Sequence, residues 1–247
     1  MTFRVPTPIL LGAILSVIAV LVTLGVWQFQ RNDWKNNLVA ERTTRTTEAP
    51  LTFEDVLTTD PTDIDYRRLI TSGTWDHEHS FILGNRARLQ TRGEELVMPF
   101  LIGPGGPAIL VSRGWYPTEK RDAVLADLVS RSGEELEGLI RTGAGNGRET
   151  SSGTWTAIDP TVMGTTLPYA VFDWIIIEGH EQTPSGVSPG ASLPLQGYLP
   201  YTSNTPHLEY SATWFGLAIV LIVVAGIRFI IEPRRVRRRD EEFATNR

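Results

Sequence analysis

The chain has 247 residues, 23 basic and 28 acidic side chains, and no cysteine. Its mean hydropathy of −0.09 is that of a soluble globular protein of one or two domains. The missing cysteine excludes a disulfide framework, a thiolate zinc or iron–sulfur site, covalent haem attachment, a thiol nucleophile and copper carriage by paired thiolates. With three methionines, a thioether copper site is disfavoured too.

The averages conceal two long uncharged runs. Arg4 and Arg31 are separated by 26 uncharged residues, and Glu209 and Arg228 by 18. The 19 residues Ile9 to Trp27 make a helix of about 28 Å, close to the hydrocarbon thickness of a bilayer. This run is longer than a signal-peptide core and no small-x-small cleavage site follows it, so it reads as a retained anchor. The second run, Tyr210 to Ile231, is broken only by Arg228 near its end, where a long side chain snorkels to the interface. Pro233 and then Arg234, Arg235, Arg237, Arg238 and Arg239 close it. Such a cluster beside a span marks the cytoplasmic side.

The expected plan is therefore a cytoplasmic N-terminus (1–8), a first span (9–27), an extracytoplasmic domain (28–209), a second span (210–231) and a basic cytoplasmic tail (232–247). Residues 28–209 carry a net charge of −9 and the two ends +4, as the positive-inside rule requires. The first span begins at Ile9, without room for an arginine-rich transit peptide. The expected compartment is a bacterial plasma (inner) membrane, with the lipid bilayer as partner and no nucleic-acid partner.

After the first span, Trp27, Arg31, Trp34 and Leu38 share one helical face and extend the helix over 28–45. Thr43 to Thr47 and Pro50 end it. Strand patterns follow at Arg67–Trp75, Ser80–Leu83, Glu95–Ile102, Ala108–Trp115, Leu136–Arg141, Thr154–Ile158 and Ala170–Glu178. Gly103 to Pro107 reads as a hairpin connection. Glu119 to Arg131, with Thr118 as N-cap, is the best helix, and Asp159-Pro160 opens a short second one. The fold class is α+β: two transmembrane helices flanking an exported, mostly antiparallel β-rich domain with one or two helices, its sheet curled toward a barrel. Thr183 to Pro200, rich in Pro, Gly and Ser, reads as the start of a tether (183–206) back to the membrane.

Motifs for nucleotide, serine-hydrolase or zinc-protease chemistry are missing, so the chain is not read as an enzyme and no catalytic residue is assigned. His77-Glu78-His79 offers two imidazoles on one face if it is a strand, or a polar turn. The pairs Glu94-Glu95 and Glu134-Glu135 read as solvated turn residues.

His207 is more informative. Thr205 can cap the second helix with Pro206 at its first position, placing His207 in the first turn. His207, Tyr210, Ser211, Trp214 and Phe215 then recur at helical spacing. Antiparallel spans bring Trp27, Arg31 and Trp34 to the same outer interface. One imidazole, several flat rings and a guanidinium suit a flat, amphipathic, anionic ligand such as haem. The alternative is an ordinary aromatic belt with a histidine that satisfies hydrogen bonds.

Three blocks carry a resemblance. They are Trp27-Gln28-Phe29-Gln30-Arg31-Asn32-Asp33-Trp34-Lys35, then Ile109 to Pro117 with its Arg113-Gly114-Trp115, then His207-Leu208-Glu209-Tyr210-Ser211-Ala212-Thr213-Trp214-Phe215-Gly216-Leu217-Ala218. With Tyr66-Arg67-Arg68, Gly73-Thr74-Trp75 and Gly93 to Pro99, they make the chain similar to the surfeit-locus cytochrome oxidase assembly family over almost its whole length. The resemblance implies a cytochrome c oxidase assembly factor that acts when haem a enters the catalytic subunit, subunit I. It also implies His207 as a haem-binding residue; joined to the helical spacing, the expectation is His207 as the axial iron ligand, Trp27, Trp34, Tyr210 and Trp214 around the macrocycle and Arg31 near the propionates. Where many relatives have paired asparagines, this chain reads Ser203-Asn204-Thr205-Pro206. The competing reading is a haem-free scaffold that binds subunit I or the haem a synthase through the exported domain and its Arg113-Gly114-Trp115 strand. On packing grounds Trp115 reads as core and Gly114 as a packing or bulge residue.

Overall fold

A computed structural model describes residues 6–88, 90–131, 134–182, 192–202 and 205–231. The chain divides into two compact units. One comprises Met1–Ala40 with Thr202–Arg247, the other Glu41–Tyr201. The arginine-rich tail and the 183–191 part of the expected tether lie outside the described residues.

In the first unit, α1 (Thr7–Thr47) and α5 (His207–Gly226, continued by a π-turn over Ile227–Ile231) are each long and apolar enough to cross a membrane. Most of their large apolar side chains are exposed, as lipid-facing surfaces are. Helix α1 stops where its sequence turns to threonine. The Thr46 and Thr47 hydroxyls donate back to the carbonyls of Thr43 and Thr44, and Pro50 prevents continuation. Helix α5 begins at His207, with Pro206 at the cap position and no side-chain cap. The expected Thr205 cap is therefore corrected: Pro206 occupies the position a capping hydroxyl would need, and Thr205 contributes only its carbonyl, to the His207 amide.

The second unit is a curled sheet. Its strands are β1 (Arg68–Ser72), β2 (Thr74–Trp75), β3 (Phe81–Arg88), β4 (Thr91–Leu101), β5 (Ala108–Pro117), β6 (Glu135–Arg141) and β7 (Val171–Glu178). They run in the order β1-β6-β7-β5-β4-β2, with β3 also on β4, and only the β5–β7 pair is parallel. Strands β1 and β2 stand at opposite ends of this path yet are joined by the single residue Gly73. Since adjacent Cα atoms are about 3.8 Å apart, the sheet must close round until its ends meet. Gly73 is required at that corner: a Cβ there would lie 2.3 Å from the Leu101 carbonyl oxygen.

Side chains from every ring strand fill the interior. Leu69, Phe100, Ile109, Val111, Leu136, Ile140, Trp174 and Ile176 form one cluster, joined by Val56 of α2 (Phe53–Thr58). The alternate residues Val97, Leu110 and Ile175 face outward and are covered by Trp155, Ile158 and Met163, the period-two alternation of a sheet buried on both faces. Strand β5 is consequently buried along nine of its ten residues. Leu96, Met98 and Tyr116 carry the inner layer on to Val124 and Leu128 of α3 (Arg121–Arg131). The last turns of α1 belong to this unit, where the Arg42 guanidinium lies 4.4 Å from the Tyr66 ring centre and 4.0 Å from that of Tyr201.

Several local readings change. Arg67–Trp75 is two strands, split at Gly73. Thr154–Ile158 is not a strand: Trp155 makes only isolated bridges to Leu83 and Glu149, because this segment must bend over the sheet to deliver both Trp155 and Ile158 to one core. Helix α2 was missed, although Thr52 and Asp55 form a capping box. A 3-10 turn over Thr118–Lys120 leads into α3, so Thr118 lies inside the turn and caps nothing. The expected short helix is present as α4 (Pro160–Met163), capped by Asp159. Part of the expected tether packs instead of hanging free. Leu195 pairs with Trp115 and is buried, and Tyr198 bridges Glu181.

Candidate functional site

In the first unit, α1 and α5 meet along a seam of small and polar residues. Gly25 is the buried residue of α1, and a Cβ there would come within 2.8 Å of the Phe215 ring. The missing side chain lets the helices approach closely, as small residues do in membranes. The Ser211 hydroxyl donates to the Gly25 carbonyl at 2.9 Å. One turn outward, Nδ1 of His207 lies 2.8 Å from Oε1 of Gln28. On α5 the seam residues His207, Ser211 and Ala218 are all buried, His207 at 9% exposure.

The expected aromatic cluster is only partly gathered by this seam. Trp27 is 54% exposed, and Trp34 and Tyr210 are each 49% exposed. At about 100° per residue, Trp27, Arg31 and Trp34 lie roughly a third of a turn from the Gly25–Gln28 line. Arg31 stacks over Trp34, 4.0 Å from the ring centre, with Lys35 at 5.8 Å. Trp214 is half-buried and its indole Nε1 is sealed from solvent without a hydrogen-bond partner. Seven residues separate it from His207, two turns less about 20°, so both rings rise from nearly the same side of α5. Among the described residues no partner is found for Nε2 of His207, nor is that atom sealed off.

The second unit presents polar groups of a different kind. Arg113 is 4% exposed and pairs with Glu178 across β5 and β7, its Nη2 donating to Oε1 at 3.4 Å. The guanidinium also lies 3.6 Å from the Trp75 ring centre. Burial raises the Glu178 carboxyl above its ordinary value, and Arg113 offsets only part of that rise. The expectation for Glu94 is corrected. It is 5% exposed, not a solvated turn residue, because it sits in β4 and accepts both Nε, at 2.8 Å, and Nη2 of Arg121. Glu95 likewise accepts the Ser112 hydroxyl, whereas Glu134 and Glu135 are exposed.

His77-Glu78-His79 is a turn. Asp76 holds it by accepting the amides of Glu78 and His79, the His79 ring at 2.7 Å and the Tyr169 hydroxyl at 2.6 Å. Among the described residues no group of three or more His, Asp or Glu is placed to hold a metal ion. Gly114 adopts φ +115° at a bulge where Arg113 and Gly114 shift the β4–β5 register. A Cβ at Gly114 would lie 2.5 Å from the Leu195 carbonyl. A groove of about 780 Å³ runs past Arg86, Arg92, Glu94, Glu119 and Arg121, but Arg86 and Arg121 already face Glu95 and Glu94.

Sequence reasoning missed Gln28 as the partner of the histidine and Gly25 as the partner of Ser211. The one available signal was an amide at the mouth of an apolar helix, three residues after a glycine.

Fold and site together define an α+β domain carried between two helices of membrane-spanning length, with a histidine at the junction of the helices. The chain matches the SURF1 family over residues 15–219 and belongs to it. A SURF1-like protein of Monosiga brevicollis is 29% identical, the match covering 86% of this chain and 84% of its own. Surfeit locus protein 1 of Xenopus tropicalis is 27% identical, with 84% and 72% covered. The cytochrome oxidase assembly protein SHY1 of Saccharomyces cerevisiae is 32% identical over 113 residues, 45% of this chain and 29% of its own.

Proposed function

We propose that the protein is an assembly factor for cytochrome c oxidase that holds haem a at the junction of α1 and α5 and assists its entry into subunit I. The assembly role is supported by family membership and by the likeness to the cytochrome oxidase assembly protein SHY1. The haem role rests on one observation: His207 and Trp214 rise from nearly the same side of α5, Nε2 of His207 neither bonded nor sealed among the described residues and the Trp214 N–H buried without a partner. A buried N–H without a partner costs about 1–3 kcal/mol, and a ligand that displaced its cover and accepted it would remove that cost.

The residues fit such a group. His207 would hold the iron through Nε2, and Trp214, once its indole is uncovered, would donate its N–H to the bound group. Trp27, Trp34 and Tyr210 supply flat, half-exposed apolar surface, and Arg31 supplies a guanidinium for carboxylates. When bound, haem a supplies the redox iron that the oxidase requires. A group held by one histidine at a helix pair would be readily released to an acceptor that approaches within the membrane. The plasma membrane of a bacterium, with both termini cytoplasmic, is the proposed setting, and the haem a synthase is a further candidate partner.

The haem-free scaffold reading loses the Arg113-Gly114-Trp115 strand as a contact and keeps the rest of the domain surface. Arg113 and Trp115 are buried in the domain, and Gly114 is held against Leu195, so none of them is available to a partner. Purified protein coexpressed with haem a synthesis should show a Soret band and a reduced-minus-oxidised difference spectrum, and His207→Ala should lose both. A wild-type protein without the band, or a His207→Ala spectrum identical to wild type, refutes the haem reading.

A further inference from the structure

We propose that Gln28 is the positioning residue of His207: its side-chain oxygen fixes the Nδ1–H tautomer and so leaves Nε2 as the ligand nitrogen. The inference deepens the haem reading and rests on it for its purpose, though the tautomer itself can be measured without haem.

A neutral imidazole has one N–H and one lone pair, and the partner of one nitrogen decides the chemistry of the other. The Gln28 oxygen has no proton to give, so across the 2.8 Å contact Nδ1–H donates and the amide accepts. Nε2 then carries the lone pair. It is also the ring nitrogen farther from the backbone, the one that reaches beyond the helix surface. Among the described residues nothing else competes for it.

The contact is held by the seam. Gly25 lies one turn before Gln28 on α1, and Ser211 one turn after His207 on α5, and these two are themselves joined at 2.9 Å. Because Gly25 has no side chain, α1 runs close against Phe215, which brings the Gln28 amide within reach. The amide and imidazole are therefore fixed by two successive contacts between the same helices. At 9% exposure the imidazole sees little water, so the hydrogen bond is not diluted by solvent exchange. Histidines that bind metals ordinarily carry an outer-shell acceptor on their second nitrogen, which sets ring orientation and ligand basicity. Gln28 fills that position, contributed from the other helix 179 residues away.

The test uses the full chain in lipid nanodiscs, labelled with ¹⁵N-histidine and free of haem. Long-range ¹H–¹⁵N correlation at neutral pH should show His207 protonated at Nδ1 and bare at Nε2. In Gln28→Leu the population should move toward the Nε2–H form. In Gln28→Glu, which keeps the acceptor, the Nδ1–H form should persist with a more deshielded proton. With haem loaded, Gln28→Leu should lose about 10–100-fold in retention. Gln28→Glu should retain haem with a lowered midpoint potential, because a carboxylate makes the imidazole the stronger donor. An Nε2–H tautomer in the wild type, or a tautomer unchanged in Gln28→Leu, overturns the proposal. A wild type in the Nδ1–H form that takes up no haem supports Gln28 as the tautomer-setting residue and overturns the haem reading alone.

Discussion

The two units differ in how they pair their buried charged and ring groups, although the domain also holds sealed atoms without a hydrogen-bond partner: Nε of Arg67, Arg68 and Arg86, Nδ1 of His77 and the Tyr116 hydroxyl. In the curled sheet, Arg113 answers Glu178, Arg121 answers Glu94, and Asp76 gathers a ring nitrogen, a phenol and two amides. In the helix pair, His207 and Ser211 are answered by the other helix, but one nitrogen of His207 and the indole of Trp214 are not. Paired charges hold the domain in one shape. In the proposed haem site, Nε2 of His207 is the nitrogen the ligand would take.

The largest effect that sharpens this contrast should come from the domain. Arg113→Ala leaves the Glu178 carboxylate buried without its cation, a loss of about 3–5 kcal/mol. Denaturant unfolding of the detergent-solubilised protein reads it directly. A loss under about 1 kcal/mol would mean that the pair is not sealed from solvent, and the contrast between the units would fail. Trp214→Phe should behave in the reverse sense. Without haem it removes a donor that has no partner, so stability should stay within about 1 kcal/mol of wild type. With haem it removes a hydrogen bond, and retention should fall roughly tenfold. A Trp214→Phe protein that is strongly destabilised while empty would show the indole to be structural.

Much of the architecture was legible before any coordinates. Charge-free runs define both helices, because in lipid each residue along the span must be apolar. The alternation and turn residues of Ala108 to Trp115 define β5, and Val124, Leu125 and Leu128 define the inner face of α3. What was not legible depends on pairing across long separations. Glu94 looked solvated beside Gly93 because its answering cation, Arg121, lies 27 positions on. Gly73 looked like one more strand residue because its role, closing the sheet, is set by Leu101. Gln28 stood inside a motif already singled out, but nothing local says that an amide in α1 meets an imidazole in α5. His207 itself was legible as the only histidine of the sequence beside a span, whereas the amide that meets its ring was not.

The smallest effect concerns Asp76, where pH separates a satisfied carboxylate from an ordinary one. Burial raises its carboxyl, but hydrogen bonds from Tyr169, from the His79 ring and from the amides of His79 and Glu78 outweigh that, and the net shift is below the ordinary value of 3.8. A carboxyl depressed in the folded state contributes stability that is present above its unfolded value and is lost as the pH falls through its folded one. At neutral pH Asp76→Asn should therefore cost about 1–2 kcal/mol, since the amide is a weaker acceptor for the same donors. On acidification below about pH 4 the wild type should lose this advantage and the two unfolding midpoints should converge. A difference that stays constant from neutral to acid pH would show that the carboxylate charge contributes nothing there, and that the His77-Glu78-His79 turn is held by shape alone.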